Sequence, residues 1–241
     1  MGQDTPADIQ LENGIVQDRN LGANFKRETQ ANWKSNGCYF QWGRISFNDW
    51  GTSNFKVVNS TANTVTDGIR SVYPQILNAY FDSALHNDGD WLLSAHKNDL
   101  WGVKEAGKSK TGVKSVYDPC PKGYKVMSGA IAQEICTAIQ NGTATIDKTA
   151  TPYFISYNGA SFNLAGGFNQ GTSGANSRGS SNTNRLAWYW TDCAYNEKDA
   201  TCIYFDLNNY SKYTSGESTI QMNRPRACSY SIRCMKDTDN R

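Results

Sequence analysis

Helical periodicity ends by residue 142 of this chain, and what is patterned after residue 184 is patterned as strand. Pro74 suits the first turn of a helix. Ile76, Leu77, Tyr80, Phe81 and Ala84 follow at helical spacing until Asn87-Asp88-Gly89-Asp90 closes the run. Ser128 predicts the cap of a second helix, with Ile131, Ile135, Ala138 and Ile139 on one face and Gly142 as its stop. Gly14 to Ala23 reads as a strand running into a turn, Cys38 to Arg44 alternates at strand period, and Tyr124 to Val126 is a short strand. Three further strands close the chain: Arg185 to Thr191, Thr201 to Leu207 and Ser229 to Met235. Helices early and antiparallel-looking strands late predict an α+β fold rather than alternating α/β.

The connections are polar. Residues 46–68 are rich in turn formers, and residues 102–115 in Lys and Gly, which predicts an exposed loop. From 158 to 184 Gly, Ser, Asn and Thr surround Phe162, Leu164 and Phe168; the aromatics need a surface, so a long ordered loop or bulged strand pair is expected. There is no internal repeat. Mean hydropathy is −0.63, and no apolar run is long enough for a membrane span, so no membrane insertion is expected. With 24 basic against 22 acidic residues, the net charge of +2 offers no stripe for nucleic acid. Seven Trp and thirteen Tyr exclude a disordered chain.

Seven cysteines, an odd number, leave at least one thiol unpaired within the chain. None are spaced as CxxC, which argues against a zinc ribbon or thioredoxin-type site. Cys136 falls on the apolar side of the second helix and reads as a small buried hydrophobe. His86 and His96, the two histidines, have no metal-binding spacing, and neither GxSxG nor a Walker loop is present. No cofactor and no metal are expected, and the chain is read as not an enzyme. In Asp118-Pro119-Cys120-Pro121 each proline disfavours helix before it, so the segment is a stiff extended turn. Trp42, Trp190 and Arg233 are read as core residues. Met1-Gly2-Gln3-Asp4 lacks the basic-then-apolar pattern of a signal peptide. An outside location then implies a removed signal or another route, such as a virus particle.

Five stretches resemble one known family. They are Asp18-Arg19-Asn20-Leu21-Gly22-Ala23, Gly37-Cys38-Tyr39-Phe40-Gln41-Trp42-Gly43-Arg44, Tyr117-Asp118-Pro119-Cys120-Pro121-Lys122-Gly123-Tyr124-Lys125-Val126, Tyr189-Trp190-Thr191 and Ser231-Ile232-Arg233-Cys234-Met235-Lys236-Asp237. In this order they are similar to the Fibrobacter succinogenes major paralogous domain, also found in fimbrillin-like surface proteins of gut anaerobes. The resemblance implies a single C-type-lectin-like domain over residues 1–241, with its core at about 9–237 and an insertion at about 45–115. It implies two helices flanking a twisted antiparallel sheet, long loops on one side, and a Cys120–Cys234 disulfide. Such a bridge stabilises by about 4 to 5 kcal/mol on the chain-entropy model. Cys193 and Cys202 could clasp a hairpin or both be free.

Within such a fold the last third gathers Tyr189, Asp192, Tyr195, Tyr204, Asn208, Asn209, Tyr210, Tyr213, Arg224, Arg226 and Tyr230 on one face. Tyr and Arg among small polar residues give large rigid contact area at low entropy cost, and aromatic faces suit the apolar C–H faces of sugars. The expected function is non-enzymatic binding of a glycan or protein, in adhesion or receptor recognition at a cell surface, a fimbrial tip or a virion. Calcium needs six to eight oxygens in one place, and the Glu-Pro-Asn or Gln-Pro-Asp and Trp-Asn-Asp motifs of calcium-dependent lectins are missing. The pattern also resembles variable proteins of diversity-generating retroelements, with residues 188–230 as the variable region. Two alternatives are a fimbrial capping or assembly subunit, and a formylglycine-generating-type enzyme using Cys228 and Cys234.

Overall fold

Ser128 accepts a hydrogen bond from Ile131 N (3.4 Å), and from that cap the helix α1 runs over Gly129–Gln140. It stops at Asn141, and Gly142 follows with φ +71° in open surroundings, a conformation other residues adopt at about 1 to 2 kcal/mol. Ile131, Ile135 and Ile139 are fully buried along one face, and Cys136 is buried beside them. This is the second helix expected from the sequence. The first, over residues 74–86, lies outside the residues that the computed structural model describes, which are 5–24, 35–44, 47–49, 98–101, 114–149, 152–167, 185–209, 221–226 and 228–238. Most of the expected insertion at 45–115 lies outside them as well.

The described residues also form thirteen strands: β1 (Asp8–Leu11), β2 (Gly14–Gln17), β3 (Cys38–Gln41), β4 (Phe47–Asp49), β5 (Tyr124–Val126), β6 (Thr145–Asp147), β7 (Phe154–Tyr157), β8 (Ala160–Asn163), β9 (Leu186–Ala194), β10 (Asp199–Asp206), β11 (Gln221–Pro225), β12 (Ser229–Ser231) and β13 (Cys234–Lys236). They form a four-stranded sheet β1-β2-β13-β5, a six-stranded sheet β11-β10-β9-β12-β3-β4 and a three-stranded sheet β6-β7-β8. The pairings are antiparallel except β12 on β9, where Ser231 meets Tyr189. The architecture is mixed and mostly β with one helix among the described residues, which fits the α+β expectation.

Both faces of β9, inside the six-stranded sheet, are covered. Ala187, Tyr189, Ile203 and Phe205 face the helix side with Ile131, Ile135 and Phe162. Leu186, Trp188, Trp190, Ala200 and Cys202 face the other side with Phe40, Trp42 and Tyr230. All nine residues of β9 are therefore buried, which is why the strand reads as a nearly continuous apolar run.

The expected strand Ser229 to Met235 is two. β12 belongs to the large sheet and β13 to the four-stranded one, and Ile232-Arg233 crosses between them. Arg233 fills the crossing. Its guanidinium donates to Gln17 O (2.7 Å), Asn20 Oδ1 (2.8 Å) and Ser161 O, and it lies 4.5 Å over the Phe162 ring. Asn20 in turn donates to Asn36 O (2.9 Å) and to the Tyr189 hydroxyl (3.1 Å), which donates to Asn163 O (2.9 Å). Both terminal nitrogens of Arg233 and the Tyr189 hydroxyl are thereby satisfied away from water.

Asp118 organises the proline turn. Its carboxylate accepts from Cys120 N (2.8 Å), Val126 N (2.8 Å) and Lys114 Nζ (2.8 Å), fixing the entry to β5. Burial pushes this carboxyl above its ordinary value, against the opposing pull of Lys114 and the hydrogen bonds. Cys120 is thereby held beside β13, where it bonds Cys234 with an S–S distance of 2.04 Å. The disulfide implied by the resemblance is present.

Candidate functional site

The residues expected to share one face separate into three groups. Tyr189, Asp192, Arg226 and Tyr230 are all fully buried. Tyr195 is 43% exposed and Asn208 is exposed, while Arg224 is half-buried. Asn209 closes a 3-10 turn, Leu207–Asn209, directly after β10, and Tyr210 and Tyr213 lie outside the described residues.

Each buried member has its own work. Tyr189 points to the helix side and packs edge-on against Phe162 at 5.5 Å. Tyr230 lies flat on Trp188, with centroids 5.4 Å apart and planes 14° apart, and meets Trp190 at 4.5 Å. Asp192 sits in a bulge where Ala194 still pairs with Ala200 but Trp190 already pairs with Cys202. Its N–H donates to Met127 O (3.0 Å), and Cys193 Sγ donates to its Oδ1 (3.2 Å). Arg226 stacks at 4.6 Å on Trp42 and donates to Asn98 Oδ1 and Asn196 O, so it anchors the turn between β9 and β10. These four are corrected from contact residues to packing residues. A strand buried on both sheet faces has no solvent side for a tyrosine to occupy.

The reading of Trp42, Trp190 and Arg233 as core residues fits the structure. Trp42 Nε1 donates to Thr191 O (3.0 Å) and Trp190 Nε1 to Phe40 O (2.8 Å).

The surface members sit at opposite ends of one hairpin. Tyr195 follows β9, whereas Asn208 follows β10, whose eight residues span about 23 Å. At the Asn208 end the structure assembles a constellation around Asp206. Tyr204 Oη donates to Asp206 Oδ2 (3.1 Å), Asn208 N donates to Oδ1 (3.0 Å), and Arg185 Nε reaches Oδ1 at 3.5 Å. Tyr204 is half-buried and stacks on Trp188 at 5.3 Å and 30°. The rings Tyr204, Trp188 and Tyr230 thus follow one another across β10, β9 and β12, with Trp190 also against Tyr230. Arg185 was not among the residues expected from the sequence; it precedes β9, and the pairing of Leu186 with Asp206 brings it to the carboxylate.

Arg224 lies on the same sheet face, opposite Ala200 in the register. Its Nε is buried without a hydrogen-bond partner. Its positive field reaches Cys202 and Tyr230, where it opposes the burial that raises both of their pKa values. Trp188 Nε1 is a second buried donor with no acceptor on this face.

Reactive chemistry has little to work with here. Cys38, Cys136, Cys193, Cys202 and Cys228 are buried and form no disulfide, so Cys193 and Cys202 do not clasp the hairpin. Burial raises the thiols of Cys136 and Cys202, and burial with the neighbouring Asp192 carboxylate raises that of Cys193, keeping all three protonated and poorly nucleophilic. Cys234 is bonded to Cys120, so Cys228 and Cys234 are not a dithiol. Among the described residues no group of three or more His, Cys, Asp and Glu could hold a metal, and no helix is long and apolar enough to cross a membrane. His86, His96 and Asn87-Asp88-Gly89-Asp90 lie outside those residues. Two surface grooves, one beside Glu12 and Tyr157 and one beside Arg19 and Lys122, are lined by none of the C-terminal candidates. The chain matches no protein-family model, no curated protein and no solved structure.

Proposed function

We propose that this chain is a non-enzymatic ligand-binding domain of the C-type-lectin-like type, serving adhesion or receptor recognition outside a cell, on a surface, a fimbrial tip or a virion. The Cys120–Cys234 bridge supports the lectin-like reading, because the family resemblance implies that pair. The observation that carries the binding reading is the half-buried Tyr204 ring, stacked on Trp188 and flanked by Arg185, Asp206 and Asn208. A rigid aromatic supported from behind offers contact area at little entropy cost, and the polar side chains beside it supply orientation. Tyr195 and Arg224 extend the contact region toward the other end of the hairpin. If the segment 188–230 is diversified between isolates, the changes fall on Tyr195, Tyr204, Asn208 and Arg224 and spare the buried Trp188, Tyr189, Trp190, Arg226 and Tyr230.

The test is a screen of the purified protein on glycan and surface-protein arrays, with folding verified by circular dichroism. Binding that Tyr204→Ala weakens by at least about tenfold, a loss expected for one stacked anchor, supports the reading. A folded protein that binds nothing on either array overturns it.

A further inference from the structure

Resting on that reading, we infer that the ligand is a sugar ring bearing a carboxylate, with its C–H face on Tyr204 and its acid group on Arg185. The arrangement around Asp206 is the reason. That carboxylate is almost fully buried and turned onto Tyr204 Oη, Asn208 N and Arg185 Nε, so its charge is directed inward and used to hold the site together. Arg185 is different. Its side chain is 48% exposed, and its contact to Asp206 is a long 3.5 Å through Nε. Among the described residues no acceptor meets its two terminal nitrogens. A guanidinium presenting that edge takes a carboxylate through two parallel hydrogen bonds, a geometry that a hydroxyl does not match.

The balance of charge agrees. Among the described residues, Arg185 stands beside Asp206 and Arg224 opposite Ala200, and the Asp206 carboxylate already accepts from three donors. The exposed Asn208 can serve ring hydroxyls. A flat aromatic with a guanidinium at its side fits a ring whose edge is anionic. A neutral sugar offers Arg185 single hydroxyl acceptors instead of the paired oxygens of a carboxylate.

Calorimetric titration with two matched pairs of probes tests this: trigalacturonic acid against galactotriose, and sialyllactose against lactose. The expected result is that one acidic probe binds roughly tenfold or more tighter than its neutral partner, a difference of about 1.4 kcal/mol. The bound pair tells a uronic acid from a sialic acid. Arg185→Gln, at an exposed position, should keep the fold and erase the difference. Equal affinity for acidic and neutral probes overturns the inference and leaves the binding reading standing, as does a difference that survives Arg185→Gln. A protein ligand found on the arrays with all four sugars unbound has the same effect. Failure of every sugar and every arrayed protein to bind the folded chain removes both.

Discussion

The Arg226 guanidinium lies 4.6 Å over the Trp42 ring while its own peptide N–H donates to Lys198 O (3.0 Å), so one residue joins the hairpin turn to the tryptophan cluster. Trp42 N returns a hydrogen bond to Arg226 O (3.2 Å). Arg226→Ala leaves Asn98 Oδ1 and Asn196 O without their donor and should lower stability by about 3 kcal/mol. Arg226→Lys should recover less than half, because an ammonium cannot stack as a planar fork does. Urea denaturation of the three proteins measures both.

The bond between Cys120 and Cys234 spans 114 residues. Its removal by Cys120→Ser with Cys234→Ser should cost about 4 to 5 kcal/mol, since the unfolded chain regains the freedom the ring denied it. Denaturation midpoints of the wild type and the double variant give the value. The five buried thiols are common to both proteins and drop out of the comparison.

Gly167 is placed where a side chain has no room. A Cβ there would come within 2.8 Å of Tyr230 Cδ1 and 3.0 Å of Trp188 Cε3, and these rings are stacked on each other and cannot both retreat. Gly167→Ala should destabilise by about 1 to 3 kcal/mol, read as a fall in Tm. Near-ultraviolet circular dichroism should change with it, because the disturbed groups are a tryptophan and a tyrosine.

Alkaline pH should act through Tyr189. Burial, only partly offset by Arg233 and the Asn20 hydrogen bond, pushes its hydroxyl up to about 12. The folded state therefore holds this proton more tightly than the unfolded chain, which releases it near pH 10. The stabilisation is complete below about pH 10 and is lost as pH rises toward 12. Tyr189→Phe, whatever it costs at neutral pH, should flatten the decline of stability between those values in urea titrations.

Arg224 should show the opposite sign of effect on stability. Its buried Nε lacks an acceptor, a burden of about 1 kcal/mol or more. Arg224→Met keeps the aliphatic stem and discards the donor, so the Tm should rise. A variant that loses stability would mean that the guanidinium is structural.

Local chemistry was readable and long-range partnership was not. The cap at Ser128, the isoleucine face and the stop at Gly142 each act within a turn or two, so α1 stood out from its own residues. β5 was bounded correctly for the same reason, by the proline turn before it. β12 and β13 read as one strand because both halves keep strand-like residues. The break is set by Arg233, whose partners Gln17 and Ser161 are 216 and 72 residues away. Tyr189 and Tyr230 read as surface residues only through the face that the family resemblance implies; on strands packed on both sides, composition carries no sign of direction. Arg185 had a faint signal. Pairing the two expected strands as a hairpin sets Leu186 against Asp206 and so brings an arginine beside a carboxylate. The strands β1, β6, β7 and β11, of three to five residues, hold too few alternations to stand out.

Since Cys120 and Cys234 close a covalent ring, the helix, the three-stranded sheet and the whole β9–β10 hairpin lie on its circumference. A protease that cuts this circumference once opens it without releasing a fragment. The nicked molecule runs as a single species until a reductant is added, because the bridge keeps its two halves joined. In the extracellular setting proposed above, that is a form of damage tolerance.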